Sequence, residues 1–226
     1  MQRWHLINVR EVVYGLLAFM VFGIAYSCFE DAKTTPEALI MARQTYGLRA
    51  LIFLCTALFT GPLFYVLPWL PLKAHLSKGR RAVGVSAFVF AFLHSLCYLV
   101  PVLARNWREL YTPGTLWWCG LALGAVAMLD MAVLTITSRD KAVHSMGPKR
   151  WKRWHNTAHL LLFVVLIHAV FNGIDFGVNH APDVTVEADF GCLIGFSIAA
   201  LVWLMLFVLR KKNVQWTPRA LRRRIE

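Results

Sequence analysis

The sequence predicts an all-α integral membrane protein, a six-helix transmembrane bundle with both termini on the cytoplasmic side. Three observations carry that prediction. The chain is 58% hydrophobic and only 16% charged, with a mean hydropathy of +0.54, whereas a soluble domain carries about 25% charged residues. Its apolar residues gather into six runs long enough to cross a bilayer, which takes roughly 17–25 residues of helix each. The charges between those runs alternate along the chain between strongly basic and not basic.

The first run, about Val12–Cys28, resembles a signal peptide in length. It ends in YSCFEDAK, which lacks a small-residue cleavage site, so it reads as a retained helix. The second to fourth runs are about Ala50–Leu70, Ala82–Leu103 and Leu116–Thr137, and the last two are about His155–Phe171 and Phe190–Leu209. The 71–81 and 138–154 loops carry +4 and +5, and the tail from Arg210 carries +6. The 29–49 loop is neutral, the 104–115 loop is +1, and the 172–189 loop is −4 through Asp175, Asp183, Glu187 and Asp189. Lys and Arg concentrate on the cytoplasmic side of membrane proteins, so both termini and the two basic loops are expected there.

The net charge of +12 therefore sets topology and favours anionic lipid; it does not indicate nucleic-acid binding. Trp107, Trp117, Trp118, Trp151, Trp154 and Trp216 fall at run ends, as interfacial aromatics do. The five cysteines (Cys28, Cys55, Cys97, Cys119, Cys192) lie in or beside apolar runs with no CxxC or CxxCH pair. They read as small buried hydrophobes, which excludes a thioether-attached haem and a cysteine-held iron–sulfur cluster. No repeat, low-complexity segment or Gly-rich nucleotide loop is present.

The chemistry is expected at the histidines. His94 lies about 13 residues into the third run from the cytoplasmic end, and His168 about 13 residues beyond His155 in the fifth, each roughly 20 Å deep. An imidazole in hydrocarbon must be hydrogen-bonded, paired or bound to metal. Two of them at one depth on helices running the same way suit the axial ligands of a b-type haem. Either histidine could instead bond a backbone carbonyl or a neighbouring helix. His155 marks a second, inner site. The position that would oppose it on the third helix is Arg80, so an inner haem would have His155 with Arg80 opposite or a five-coordinate iron, or Arg80 would clamp a propionate. His159, one turn on, is a rival inner ligand. About 13 residues turn a helix by roughly 220°, so His155 and His168 share a face only through a tilt or bulge. His5, His75, His144 and His180 are expected to be solvated. Asp130, inside the fourth run, is expected to pair with Arg80 or Arg81, or to take up a proton.

The stretches GRRAVGVSAFVFAFLHSLCYL around His94, LTITSRDKAVHSMGPKRWKRWHNTAHLLLFVVLIHAVF around His155 and His168, and YGLRALIFLCTALFTGPL in the second run resemble the ferric-reductase-like transmembrane domain family. Within it, the chain most resembles the haem-binding subunits of periplasmic methionine sulfoxide reductase systems. The resemblance covers about residues 40–172 and implies one haem-binding membrane domain over residues 1–226. By its motifs His94 and His168 match the haem-ligand histidines, His155 the third histidine, and Arg80 and Arg81 the arginine pair before the third span. Trp154 stands where the family usually carries an aliphatic residue, and His159 where an aromatic is more common.

The resemblance implies one or two haems b, with FMN or quinone as a further cofactor. It implies an electron-transfer subunit of an oxidoreductase system in the bacterial inner membrane. Electrons would enter from quinol or a cytoplasmic flavin reductase and leave to a periplasmic oxidoreductase, which the resemblance implies is a molybdenum enzyme. After Leu209 only a short basic tail is read, so the donor is expected to be a separate molecule. Two rival readings are a stand-alone ferric or quinone reductase and a haem-free transporter or scaffold whose histidines are polar glue.

Overall fold

A computed structural model describes residues 8–71, 73–105 (101–105 by backbone alone), 115–173, 176 and 191–214. Among these residues the chain is helical and forms α1 (Val9–Asp31), α2 (Thr35–Val66), α3 (Lys73–Arg105), α4 (Thr115–Ile136), α5 (Asp140–Met146), α6 (Pro148–His155), α7 (Ala158–Asn172) and α8 (Gly191–Lys211). Six stretches are long and apolar enough to span a bilayer: α1, α2, α3, α4, α6 with α7, and α8. Large apolar side chains point outward, Phe19 and Phe22 being 76% and 74% exposed. That surface suits hydrocarbon and would be an aggregation hazard in water. Asp175, Asp183, Glu187 and Asp189 of the acidic loop, and His5, His180, Trp107 and Trp216, lie outside the described residues.

Two helices are longer than the apolar runs predict, and the cause is local. α2 begins at Thr35, about four turns before the expected Ala50. Thr34 caps it by accepting from the Glu37 backbone N–H at 3.4 Å, and the Glu37 carboxylate accepts from the Lys33 N–H at 2.9 Å. This is close to a capping box, with Pro36 in the first turn. The polar residues Glu37, Arg43, Gln44 and Arg49 interrupt the hydropathy of this stretch without interrupting its helix. α3 likewise starts at Lys73 and not at Ala82, so the cations expected in a loop form its first turns.

The fifth span is not one continuous helix. α6 ends at His155, Asn156 and Thr157 form a turn, and α7 starts at Ala158. Asn156 and Thr157 keep right-handed helical dihedrals, and the His159 and Leu160 N–H groups bond three residues back, so the turn is a tightening between α6 and α7. Between α5 and α6 the chain reverses at Gly147, whose φ of 76° disfavours a side chain. Pro148 then opens α6 with its φ already helical.

One apolar cluster lies between α2, α3, α4, α7 and α8 around Leu162, and a second joins α1 to α2 and α3 around Phe90; both residues, and Ser86, are at most 1% exposed. Ala42, Ala50, Ala57 and Ala87 keep the α2–α3 seam thin. Ser86 donates to the Ala82 carbonyl of its own helix at 2.9 Å. Tyr46 donates across to the Val21 carbonyl at 3.0 Å and fixes α1 against α2. Four cysteines are buried or half-buried, while Cys119 is exposed. Cys119 corrects the expectation that all five sit inside; on a span, an exposed face meets lipid.

At the cation-rich end Asp140 bridges Arg10 of α1 at 3.4 Å and Arg81 of α3 at 2.8 Å. The Arg10 guanidinium, and then that of Arg81, hold the Asp140 carboxyl below the usual carboxylate range. A depressed carboxylate stabilises the fold above its unfolded pKa, about 4, and loses that contribution as pH falls through the folded value. Acidification through that window is expected to lower the amide protection factors of α5 in the native protein, after correction for the intrinsic pH dependence of exchange. It should add nothing further in Asp140→Asn, where the bridge is already gone.

Candidate functional site

His94 on α3 and His168 on α7 meet in the middle of the bundle. Their ring centroids stand 6.2 Å apart with planes crossed at 87°. Each ring is seated in the same way. His94 Nδ1 lies 2.8 Å from the Arg43 carbonyl of α2, and His168 Nδ1 lies 2.8 Å from the Gly120 carbonyl of α4. A carbonyl only accepts, so Nδ1 carries the proton on both rings and Nε2 keeps the lone pair. Neither Nε2 has a hydrogen-bond partner among the described residues. The backbone-carbonyl bond weighed against metal binding is thus present at both histidines, but it uses the nitrogen that a ligand does not need.

One helical turn beyond each accepting carbonyl is a glycine. A Cβ on Gly47 would stand 2.8 Å from His94 Nδ1, and one on Gly124 would stand 2.8 Å from His168 Cε1. Any side chain at either position would displace the ring. Gly120 and Gly124 form a GxxxG pair that also brings α7 against α4, with Asn172 Nδ2 donating to the Trp117 carbonyl at 3.2 Å. A Cβ on Gly120 would collide with Asn172 Oδ1. These glycines went unread, although the GxxxG spacing is visible in the sequence.

The other expected residues gather nearer the cation-rich end, around a cavity of about 370 Å3 lined by Arg80, Arg81, Trp151, His155, His159 and Arg210 among others. His155 stacks on Trp151, centroids 3.9 Å apart and planes 27° from parallel. Its Nε2 is 3.2 Å from Thr137 Oγ1. Thr137 gives its single proton to the Val133 carbonyl at 2.7 Å, so it accepts from His155 Nε2. Trp151 in turn donates to the Thr137 carbonyl at 2.9 Å and lies under the Arg81 guanidinium, 5.1 Å from its ring centre. His159 packs against Trp203 and Phe207 of α8, and its Nδ1 is buried with no hydrogen-bond partner. His75 and His144 are exposed, as expected.

Asp130 departs from expectation. It pairs with neither arginine; its carboxylate accepts from Thr157 Oγ1 at 3.0 Å. Both arginines have other partners. Arg80 Nε donates to the Ala57 carbonyl of α2 at 2.8 Å, and Arg81 turns to Asp140. The turn between α6 and α7 is what brings Thr157 to Asp130, and no hydropathy pattern marks it.

No family model matches the chain. Curated proteins do. The chain is 30% identical over 168 residues to the protein-methionine-sulfoxide reductase heme-binding subunit MsrQ of Azospira oryzae, covering 71% of this chain and 66% of that protein. It is 26% identical over 197 residues to the MsrQ subunit of Polaromonas naphthalenivorans, covering 83% of this chain and 82% of the relative. It is also 29% identical over 144 residues to the magnetosome protein MamZ of Magnetospirillum gryphiswaldense, spanning only 20% of that longer protein.

Proposed function

Because the chain belongs to the family of protein-methionine-sulfoxide reductase heme-binding subunits, we propose that it is a b-type cytochrome of the bacterial inner membrane. In this reading it is a single ferric-reductase-like haem-binding domain. It passes electrons from quinol or a cytoplasmic flavin reductase to a periplasmic oxidoreductase, a molybdenum-containing methionine sulfoxide reductase being the first candidate. The cation-rich end, with α5, α6 and both chain termini, faces the cytoplasm, which is where Lys and Arg accumulate.

The observation that carries the proposal is the deep pair. Two imidazoles that face each other across the bundle with free Nε2 lone pairs would be able to hold a haem iron between them. The His94 and His168 rings stand 6.2 Å apart, and the proton on each Nδ1 would leave Nε2 as the ligand atom. When bound there, haem supplies one-electron chemistry. The chain supplies the two ligand nitrogens, the Arg43 and Gly120 carbonyls that orient them, and an apolar surround. In the inner cavity His155 and His159 are the candidate ligands, with Arg80 and Arg81 beside them. The Thr137 bond and Trp151 stack already engage His155, so the unpartnered Nδ1 favours His159.

Spectra of detergent-purified protein, oxidised and dithionite-reduced, with a pyridine haemochrome count per chain, test the reading. A Soret band and one or two haems are expected, and a haem-free product from haem-supplied cells would sink it. If the reduced protein then reoxidises on ferric chelates or quinones as fast as on a periplasmic reductase, a stand-alone reductase replaces the electron-transfer subunit.

A further inference from the structure

Arg80 and Arg210 come from α3 and the far end of α8, yet they converge on one residue of α2. A Cβ on Gly61 would stand 2.9 Å from Arg80 Nη1 and 3.2 Å from Arg210 Nη1. Two guanidiniums therefore share the space above a single glycine, both of them half-buried. Neither has a carboxylate partner: among the described residues the ion pairs run from Arg10 and Arg81 to Asp140. The cavity lined by both arginines has no Asp or Glu in its lining. Arg80 spends only its Nε, on the Ala57 carbonyl at 2.8 Å, and Arg210 lies 5.9 Å over the Tyr65 ring. The terminal nitrogens of both forks are left to repel one another in a partly dry site, an arrangement that asks for an anion between them.

We propose that Arg80 and Arg210 form a two-guanidinium clamp for the oxyanion tail of a cofactor in the inner cavity, with Gly61 as the position whose missing side chain lets both forks close on it. The proposal rests on reading that cavity as a cofactor site and adds a contribution from α8. The shared chemistry is a phosphate or carboxylate that takes fork hydrogen bonds from both sides. It could come from a flavin phosphate or a haem propionate. His159 lines the same cavity and adds a buried nitrogen with no partner.

The test has two arms. In the first, FMN and riboflavin are titrated against detergent-solubilised protein by flavin fluorescence. In the second, apoprotein is refilled with haem or haem dimethyl ester and the haem count per chain is measured. A phosphate tail predicts FMN binding at least about tenfold tighter than riboflavin, with that preference erased in Arg210→Gln and Arg80→Gln. A carboxylate tail predicts that the dimethyl ester fills one haem site fewer than haem does, and that the same variants lose that haem. Arg210→Lys keeps the charge without the fork and should fall between; Lys212→Gln, exposed on the next turn, should match wild type. Retention of both preferences in the glutamine variants overturns the clamp, as does a wild-type protein that takes neither FMN nor a second haem. A Soret band that still depends on His94 in that last case would leave the deep pair standing.

Discussion

Replacing His94 or His168 with alanine is expected to abolish the deep haem, each substitution alone removing one haem per chain from the haemochrome count. The two rings also tie α3 to α2 and α7 to α4 through their Nδ1 bonds. Each such bond contributes about 0.5–1.5 kcal/mol net, so alanine costs stability as well as a ligand. Glutamine separates the two effects, because its amide can still donate to the carbonyl but offers iron no imidazole nitrogen. His94→Gln and His168→Gln should therefore regain thermal stability relative to alanine and still lack the haem. If the deep histidines served only as interhelical glue, glutamine would restore the wild-type spectrum.

The second large effect is expected from adding a single methyl group. Gly124→Ala and Gly47→Ala each place a Cβ 2.8 Å from a histidine ring atom, and the ring cannot retreat without losing its 2.8 Å bond to the neighbouring carbonyl. In an unconstrained helix the same change stabilises by about 1 kcal/mol. Here overpacking costs about 1–3 kcal/mol, and a misdirected ligand weakens haem retention by about 10–100-fold. Gly15→Ala and Gly23→Ala, where a Cβ meets nothing within 4 Å, are the matched controls and should raise the melting temperature. Haem retained through dialysis against apomyoglobin is the readout. Retention at Gly124→Ala equal to that of the controls would show that the ring has room to move.

How much of this could be read from residues alone depends on the kind of information each feature needs. Apolar length fixes the existence of a span, so the six spans and the matched depth of His94 and His168 were legible. Helix ends obey capping chemistry instead, and Thr34 with Glu37 carried α2 well beyond its apolar run. The turn at Asn156–Thr157 could not be located, because neither residue forbids helix and both keep helical dihedrals. Gly120 and Gly124 are a readable spacing, yet their purpose appears only when a ring from another helix lies over them. The partners of Asp130, Arg80 and Arg210 were out of reach for a different reason. Each is chosen by what lies opposite in space, and Arg210 meets Arg80 across most of the chain's length.

The carbonyl-and-glycine seat has a mechanical consequence. Turning either deep ring about its Cβ–Cγ bond would break the tie to Arg43 or Gly120, and sliding it sideways drives it into the backbone at Gly47 or Gly124. The rings are held at fixed heading and fixed separation by main chain, the stiffest material available in a helical bundle. A cofactor held between them, as proposed, would change its charge without the walls changing shape, so little energy would be lost to rearrangement. Such a seat would suit a relay better than a store.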